Sequence, residues 1–285
     1  MIITSWKLGP SLAMGNSIVV KPAENSTLSA LKLAQLAIEA GLPDGVFNVV
    51  PGLGAEAGQA LARHMDVAKI AFTGSAPTVR KMMQYAAGQT CNAGSRLIIE
   101  KGVKEELFAH LHKFLEVFVV GDQFEPATQM AGLVSHLQRD RVNSYQDLIG
   151  ENGKKLIFGG QKSTGNDLFI SPTLVDNVKP DSRLAQEEIF GPVLVAIDAN
   201  DADQALEIAN GTEYGLAAAV WTSNIARAHK FPRKLRAGTV WINTFDALDV
   251  ITPFGGFGSS GSDRDKSLHA LDAYSALKTT WVDLN

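Results

Sequence analysis

The sequence predicts an α/β fold built on a parallel sheet that is covered by helices on both faces. Short apolar runs alternate along the chain with helical patterns, and the runs are continuously apolar instead of alternating with polar residues. Continuous apolar strands between helices are typical of parallel sheets, whose strands are buried on both sides. A length of 285 residues allows about two domains.

Residues 1–88 are predicted to hold three strand–helix pairs. The first strand, Ser17–Val20, is bounded by Gly15-Asn16 and Pro22, and the helix after it begins near Ser26 and stops at Gly41 before Pro43. The other predicted elements are strands at Phe47–Val50 and Lys69–Phe72 and helices at 55–63 and 77–87.

The rest of the chain continues in the same style, and we place the domain boundary near Gly88. Residues 89–274 are predicted to form a second α/β domain, with strands at 97–99, 156–158, 193–197, 217–221 and 239–243 and helices near 103–118, 136–150, 201–210 and 224–236. Residues 275–285 form the predicted terminal strand. An unpaired strand invites pairing with another chain, so we expect a homo-oligomer through this segment.

The composition excludes several classes of partner. The 26 Lys and Arg against 30 Asp and Glu give a net charge of -4, which argues against a nucleic-acid or anionic-membrane surface. A single cysteine excludes an internal disulfide and fits a reducing compartment. Residues 1–8 lack signal-peptide features, and no apolar run approaches the roughly 18 residues of a membrane span. We therefore expect a cytoplasmic protein.

The carboxyl ends of the first three strands carry groups suited to a nucleotide, because open parallel sheets bind ligands at that edge. The first strand runs into Lys21 and Glu24, a cation and a carboxylate suited to ribose hydroxyls or a 2′-phosphate. The second runs into Gly52-Leu53-Gly54, with Gly58 after it, and the third into Thr73-Gly74-Ser75. Such turns at helix N-termini offer N–H groups to a pyrophosphate. The spacing is GxGxxxG, however, and a simple tight turn remains the alternative.

Cys91 is the strongest candidate for chemistry. A lone cysteine is usually a small buried hydrophobic residue. This one lies in a polar, small-residue loop, Gln89-Thr90-Cys91-Asn92-Ala93-Gly94-Ser95, which makes no apolar environment for it. A thiolate in such a loop would be a strong nucleophile toward a carbonyl. The six histidines are scattered, and no metal-ligand spacing is present, so no metal is expected.

Eight ordered stretches resemble the NAD(P)-dependent aldehyde dehydrogenases over nearly the whole chain. They are GPSLAMGNSIVVKPAE (9–24), EAGLPDGVFNVVPGLG (39–54), KIAFTGS (69–75), GQTCNAGSRL (88–97), QEEIFGPVL (186–194), YGLAAAVWT (214–222), LRAGTVWINT (235–244) and PFGGFGSSG (253–261). The closing stretch 264–281 is similar to the γ-glutamyl-aminobutyraldehyde dehydrogenases. The resemblance implies a partial Rossmann-type nucleotide-binding domain, an α/β catalytic domain and a C-terminal oligomerisation strand.

The resemblance also implies roles for individual residues. Cys91 would add to the aldehyde as a thiohemiacetal, hydride transfer would leave a thioester, and water would release the acid; the Cys91 N–H would be one oxyanion donor. The residues implied to bind NAD, or NADP, are Lys21, Glu24, Gly54, Gly74, Ser75, Glu188 and Phe190.

Two departures from the family pattern bear on activity. The resemblance implies an N-terminal segment before Met1, which would carry an oxyanion-hole asparagine. It also implies a βα unit of about 40 residues at the join Gly88/Gln89, with the glutamate that activates water. Losing an oxyanion donor costs about 2.7–4 kcal/mol, and losing a general base costs about 10² to 10⁴ in rate. The loss would also expose apolar faces. The alternative is therefore a catalytically dead remnant that binds nucleotide or associates with intact subunits, or an unfolded product.

The stretch before the PFGGFG turn indicates a substrate class. Asp246 and Asp249 could attract an aldehyde that carries an amine, although two ordinary surface carboxylates remain the alternative. Glu24 would repel a 2′-phosphate while Lys21 would attract one, so NAD is favoured and NADP is not excluded.

Overall fold

A computed structural model describes residues 2–71, 89–122, 124–149, 155–159 and 167–284. The chain divides into two compact units. One comprises Met1–Lys81, Leu248–Gly256 and Gly261–Asn285, and the other comprises Met82–Ala247 and Phe257–Ser260. The predicted boundary near Gly88 and the predicted helix at 77–87 lie outside the described residues.

The first unit contains a two-stranded parallel sheet flanked by helices. Its elements are helix α1 (Ile2–Ala13), strand β1 (Ile18–Val20), helix α2 (Thr27–Glu39), strand β2 (Phe47–Val49) and helix α3 (Gln59–Arg63). β1 and β2 pair in parallel register, with Ile18 opposite Phe47. Short 3-10 turns lie at Glu24–Ser26 and Leu268–Tyr274, and a π turn at Gly54–Gly58 leads into α3.

The second unit is built on a four-stranded sheet. Its strands are β3 (Arg96–Glu100), β4 (Lys155–Phe158), β5 (Thr173–Asp176) and β6 (Val193–Ala199), in the spatial order β3-β6-β5-β4. A second parallel pair is formed by β7 (Ala217–Val220) and β8 (Thr239–Ile242). The helices are α4 (Lys101–Glu116), α5 (His136–Gln146), α6 (Arg183–Gln186), α7 (Ala202–Asn210) and α8 (Ile225–Lys234).

β6 shows how the four-stranded sheet is covered on both faces. Successive side chains of a strand point to opposite faces. Val195 and Ile197 pack into a cluster with Val142 and Tyr145 of α5, whereas Ala196 packs into a separate cluster with residues of α4. Both faces are therefore buried, as the continuously apolar strand predicts.

One expectation for the fold is wrong. Lys69, Ile70 and Ala71, expected to begin a third strand, belong to no strand. Residues 275–284 belong to no strand within the single chain, and Leu277 and Trp281 are exposed there. The expected terminal strand would pair with a second chain, so it stays a prediction. A backbone run becomes a strand only when a partner accepts its hydrogen bonds. β5, which was not predicted from the sequence, is present at Thr173–Asp176.

Apolar surface is exposed on α4. Phe114 is 54% exposed, and Val117, directly after the helix, is 71% exposed. A cavity of about 250 Å³ lies beside this surface and reaches the segment Ala93-Gly94-Ser95. The expectation that a missing segment uncovers apolar faces stays a prediction. None of the described helices combines the length and apolar character that a membrane crossing requires.

Candidate active site

Lys21 and Glu24 lie together beyond the carboxyl end of β1. Lys21 Nζ donates to the carbonyl oxygen of Gly52 at 3.2 Å and lies 3.6 Å from Glu24 Oε1. The backbone N–H of Gly54 donates to the same Oε1 at 2.9 Å. Because β1 and β2 are parallel, their carboxyl ends share one edge of the sheet. The structure thus brings together three of the residues that the sequence assigns to the cofactor.

The charges of this cluster suit the ribose of a nucleotide. The N–H groups of Glu24 itself and of Gly54, and then the charge of Lys21, hold the pKa of the Glu24 carboxyl below its usual value. An ionised carboxylate accepts hydrogen bonds from hydroxyl groups, and the neighbouring ammonium donates them. The residues present therefore fit the vicinal hydroxyls of a ribose.

Each glycine of the segment Gly52–Gly58 makes a different close contact. A Cβ on Gly52 would lie 2.8 Å from the Cβ of Ala57, a distance too short for two carbon atoms, and a Cβ on Gly58 would touch the side chain of Lys21 at 3.4 Å. The N–H of Gly54 is donated to Glu24 instead of remaining available for a pyrophosphate. Gly74 and Ser75, the other predicted pyrophosphate contacts, lie outside the described residues.

In the second unit, Cys91 is exposed at the surface of a hydrogen-bonded loop. The loop begins at the buried Gln89, whose Oε1 accepts from the N–H of Val134 at 3.1 Å. The N–H of Ala93 donates to the carbonyl oxygen of Thr90 at 3.0 Å and closes a turn around the cysteine. The alternative of a buried structural cysteine therefore does not hold.

The environment of Cys91 favours the neutral thiol. Desolvation by the protein atoms behind it raises the pKa of the thiol, and the charges of Glu188 and Asp246 raise it further. The N–H groups of Cys91 and Asn92 act in the opposite direction. Desolvation and exposure do not conflict, because one side of the side chain meets solvent while the other faces protein. Exposure decides whether a substrate can reach the sulfur, and desolvation shifts the equilibrium between the neutral thiol and the thiolate.

One hydrogen bond, from Asn92, and one packing contact, at Gly94, join the Cys91 loop to the turn that follows β8. Asn92 Nδ2 donates to Asp246 Oδ1 at 2.6 Å, and Asn92 Oδ1 accepts from Thr90 Oγ1 at 2.8 Å. A Cβ on Gly94 would lie 3.6 Å from the ring of Phe245, so the backbone and the aromatic ring are in close contact. The predicted substrate residue Asp246 is thus hydrogen-bonded to the neighbour of the predicted nucleophile.

Glu188 and Phe190 lie in a loop after α6 that α5 holds in place. Gln138 Nε2 donates to the carbonyl oxygen of Phe190 at 2.8 Å, and the guanidinium of Arg141 donates to that of Glu188. Phe190 has a φ of 59°, a left-handed conformation that is costly for a bulky residue and that these bonds help to hold. Burial raises the pKa of the Glu188 carboxyl, and the charge of Arg141 opposes this.

Asp249 has a different setting. Its Oδ1 accepts from the N–H of Ile251 at 3.1 Å, and its carbonyl oxygen accepts from the hydroxyl of Thr252 at 2.9 Å. Asp249 belongs to the first unit and Asp246 to the second. No group of three or more His, Cys, Asp or Glu side chains in the described ranges could hold a metal ion.

Sequence reasoning did not single out Asn92, Gln138 or Arg141. Gln138 and Arg141 are three residues apart, so they lie on one face of a helix that the sequence does predict. That spacing could have marked them as a pair, but no local pattern names the loop they contact.

The family model described as the aldehyde dehydrogenase family matches residues 1–87 and 84–280. The chain belongs to this family. It is 41% identical to the NADP/NAD-dependent aldehyde dehydrogenase PuuC of Escherichia coli, an alignment that covers 100% of this chain and 65% of that protein. It is 40% identical to an aminoacetaldehyde dehydrogenase of Pseudomonas aeruginosa, covering 99% and 65% respectively.

The fold of the aldehyde dehydrogenases is confirmed by solved structures. The γ-glutamyl-γ-aminobutyraldehyde dehydrogenase of Burkholderia cenocepacia superposes with a TM-score of 0.88 at 42% identity, covering 98% of this chain and 65% of that one. The chain thus spans about 65% of the length of these aldehyde dehydrogenases.

The alignments also agree with an internal gap. The family model matches in two parts that meet at residues 84–87. The alignment with the Escherichia coli relative runs over 325 positions, 40 more than the 285 residues of this chain. At this join, Nε2 of the buried Gln89 has no hydrogen-bond partner in the part of the chain that the structure describes. About 40 positions of this alignment therefore have no counterpart in this chain.

Proposed function

We propose that this chain oxidises an aldehyde to the carboxylic acid with NAD(P)+, using Cys91 as the nucleophile. The observation that carries the proposal is the exposed Cys91, held in a polar loop and electrostatically coupled to Glu188, in a chain of the aldehyde dehydrogenase family. The relative from Escherichia coli is named as NADP/NAD-dependent.

We assign cofactor binding and nucleophilic addition to different residues of the chain. Lys21 and Glu24 would hold the adenosine ribose, and Glu188 and Phe190 the nicotinamide ribose. The thiolate of Cys91 adds to the carbonyl carbon and gives a thiohemiacetal, whose oxyanion receives the N–H of Cys91. Bound NAD(P)+ would supply the hydride acceptor that allows the thiohemiacetal to become a thioester. Water then releases the acid and returns the proton to the sulfur.

The raised pKa of the thiol determines the expected pH dependence. Because the neutral thiol is favoured, the fraction of thiolate, and with it the rate of addition, rises as pH increases toward that pKa. A missing general base lowers the rate by about 10² to 10⁴. We therefore propose a slow enzyme, in which hydrolysis of the thioester limits turnover.

Formation of NADH from an aldehyde tests the proposal. The wild-type chain should produce NADH that is detectable by absorbance, and Cys91→Ala should produce none above background. Cys91→Ser is the matched control, since it keeps a smaller, weaker nucleophile at the same position. Equal NADH from the wild type and Cys91→Ala would reject Cys91 as the nucleophile.

A second candidate is a catalytically inactive nucleotide-binding protein. It is favoured by the 40 additional alignment positions of the Escherichia coli relative, which include the join before Cys91. An NAD+ titration followed by thermal shift distinguishes the candidates. Binding that stabilises the chain without NADH formation supports the second candidate. If NAD+ does not stabilise the chain, both candidate functions are rejected.

We further propose an amino-aldehyde as the substrate and a second copy of the chain as a partner. Asp246 and Asp249 are exposed carboxylates, which would attract an ammonium group. Asp246→Asn and Asp249→Asn should raise KM for aminoacetaldehyde relative to KM for propionaldehyde. An unchanged ratio of the two KM values would contradict the proposal. Residues 275–284 carry exposed apolar side chains suited to pairing between copies, and sedimentation equilibrium should show a dimer or larger assembly.

A further inference from the structure

Two consecutive hydrogen bonds lie beside the nucleophile and end on the carboxylate of Asp246. The hydroxyl of Thr90 donates to Asn92 Oδ1 at 2.8 Å, and Asn92 Nδ2 donates to Asp246 Oδ1 at 2.6 Å. Both the oxygen and the nitrogen of the Asn92 amide form hydrogen bonds, so these partners fix the orientation of the amide. Asn92 is 8% exposed and follows Cys91 directly in the chain. A buried side chain bonded at both ends restrains the backbone next to the sulfur.

Asp246 is itself held in an unusual conformation. Its φ is 56°, in the left-handed region that Asp and Asn tolerate better than most residues. The turn is anchored from β8, because Trp241 Nε1 donates to the carbonyl oxygen of Ala247 at 2.9 Å. Trp241 and Phe245 also pack with their ring centroids 5.0 Å apart. The left-handed backbone of Asp246 is therefore held by its surroundings, with the carboxylate directed at Asn92.

We infer that Asp246 is a positioning residue that acts on Cys91 through Asn92. Its carboxylate fixes the Asn92 side chain, and this keeps the backbone N–H of Asn92 against the sulfur. The inference rests on the proposed function only in that Cys91 is the nucleophile. It gives Asp246 a role that does not depend on which aldehyde is bound.

Two opposite electrostatic effects follow from this arrangement. The N–H of Asn92 stabilises the thiolate, whereas the negative charge of Asp246 destabilises it. The charge of Glu188 also acts on the sulfur, and Arg141 acts in turn on Glu188. Asp246→Asn removes the charge but keeps an oxygen that can accept from Asn92 and keeps the left-handed backbone favourable. Asn92→Ala removes the link and leaves both carboxylates in place.

Alkylation of the full chain by iodoacetamide measures these effects separately. Cys91 is the single cysteine, so the label reports on one atom, and Cys91→Ala is the blank. The reagent is neutral, and the rate as a function of pH gives the midpoint of thiol ionisation whether or not the chain turns over an aldehyde. Glu105→Gln, which removes an exposed carboxylate on α4, is the matched control.

The expected shifts have opposite signs. Asp246→Asn should move the midpoint to lower pH and raise the rate at pH 7 about threefold, as expected for a half-unit change. Asn92→Ala should move it to higher pH and lower that rate, and Glu105→Gln should leave it unchanged. A midpoint unchanged in either Asp246→Asn or Asn92→Ala overturns the inference. These outcomes are separate from failure of the proposed function, which would appear as a lack of NADH.

Discussion

Lys104 holds two carboxylates of neighbouring strands together, and its replacement should destabilise the second unit strongly. Its Nζ lies 2.6 Å from Asp176 Oδ1 on β5 and donates to Asp198 Oδ1 on β6, also at 2.6 Å. The side chains of Lys104 and Asp176 are only 12% and 13% exposed. The contact with Asp176 is an ion pair whose geometry does not meet that of a hydrogen bond.

The magnitude follows from these distances. Two oxygens that each lie 2.6 Å from the same nitrogen are at most about 5 Å apart. At an effective dielectric constant of about 20, two unit charges at that separation repel by about 3 kcal/mol. Lys104→Met removes the cation and keeps an apolar stem beside Phe108, over whose ring Nζ lies at 5.5 Å. We expect a loss of about 2–4 kcal/mol in the free energy of unfolding.

Urea unfolding followed by far-UV circular dichroism measures this loss. The control is Lys101→Met, on the same helix, whose Nζ donates to the neutral, exposed side chain of Asn200 at 2.9 Å; its cost should stay below about 0.5 kcal/mol. Equal losses in the two variants would refute the reasoning.

The same variant has a predicted pH dependence. Burial alone would lower the pKa of Lys104, but its close contacts with the carboxylates of Asp176 and Asp198 and their negative charges outweigh burial, so the pKa is raised above 10.5. Since the folded value exceeds the unfolded one, the contribution of Lys104 is complete below the unfolded pKa and is lost as pH rises through the folded one. The difference between the wild type and Lys104→Met should therefore narrow above about pH 10.5.

Two further predictions concern packing and cofactor choice. Gly191→Ala should lower the free energy of unfolding by about 1–3 kcal/mol, because its Cβ would clash with the side chain of the fully buried Val142. A Cβ on Gly102 would meet nothing within 4 Å, so Gly102→Ala should not destabilise the protein in the same urea measurement. Glu24→Gln should improve NADP+ relative to NAD+ about tenfold in the ratio of dissociation constants, because Lys21 remains while the charge that repels a 2′-phosphate is removed. Glu56→Gln, in the π turn Gly54–Gly58, should leave the ratio unchanged when both constants are measured by calorimetry.

Elements with a strong local pattern could be predicted from the sequence. β1, β3 and β6 are continuously apolar runs between turn residues, and the structure confirms them within one or two residues. β5 was missed because it directly follows Pro172 without a turn signal that marks a strand, and it lies between β4 and β6, a placement that no local pattern shows. The strand predicted at Lys69–Phe72 had the right composition, but Lys69, Ile70 and Ala71 form no strand.

The same distinction holds for the site. Lys21 and Glu24 are three residues apart, so their pairing follows from a local motif. Asn92 and Asp246 are 154 positions apart, and no periodicity or spacing connects them. The contact depends on the turn after β8, whose left-handed Asp246 is visible only in the backbone.

The position of the internal gap shows which part of the chemistry this chain can retain. The missing positions fall before Cys91, whereas the groups that hold the loop come after it in the chain: Val134 binds Gln89, and Asp246 binds Asn92. Presentation of the sulfur therefore does not require the missing segment. Near the gap, Gln89 Nε2 is buried without a hydrogen-bond partner among the described residues. Under the proposed function, the missing segment would carry the glutamate that activates water. A chain built this way should add to a carbonyl more readily than it releases the acid. The expected mark of that imbalance is an acyl adduct on Cys91 that accumulates and can be detected by mass spectrometry of the intact chain after incubation with aldehyde and NAD+.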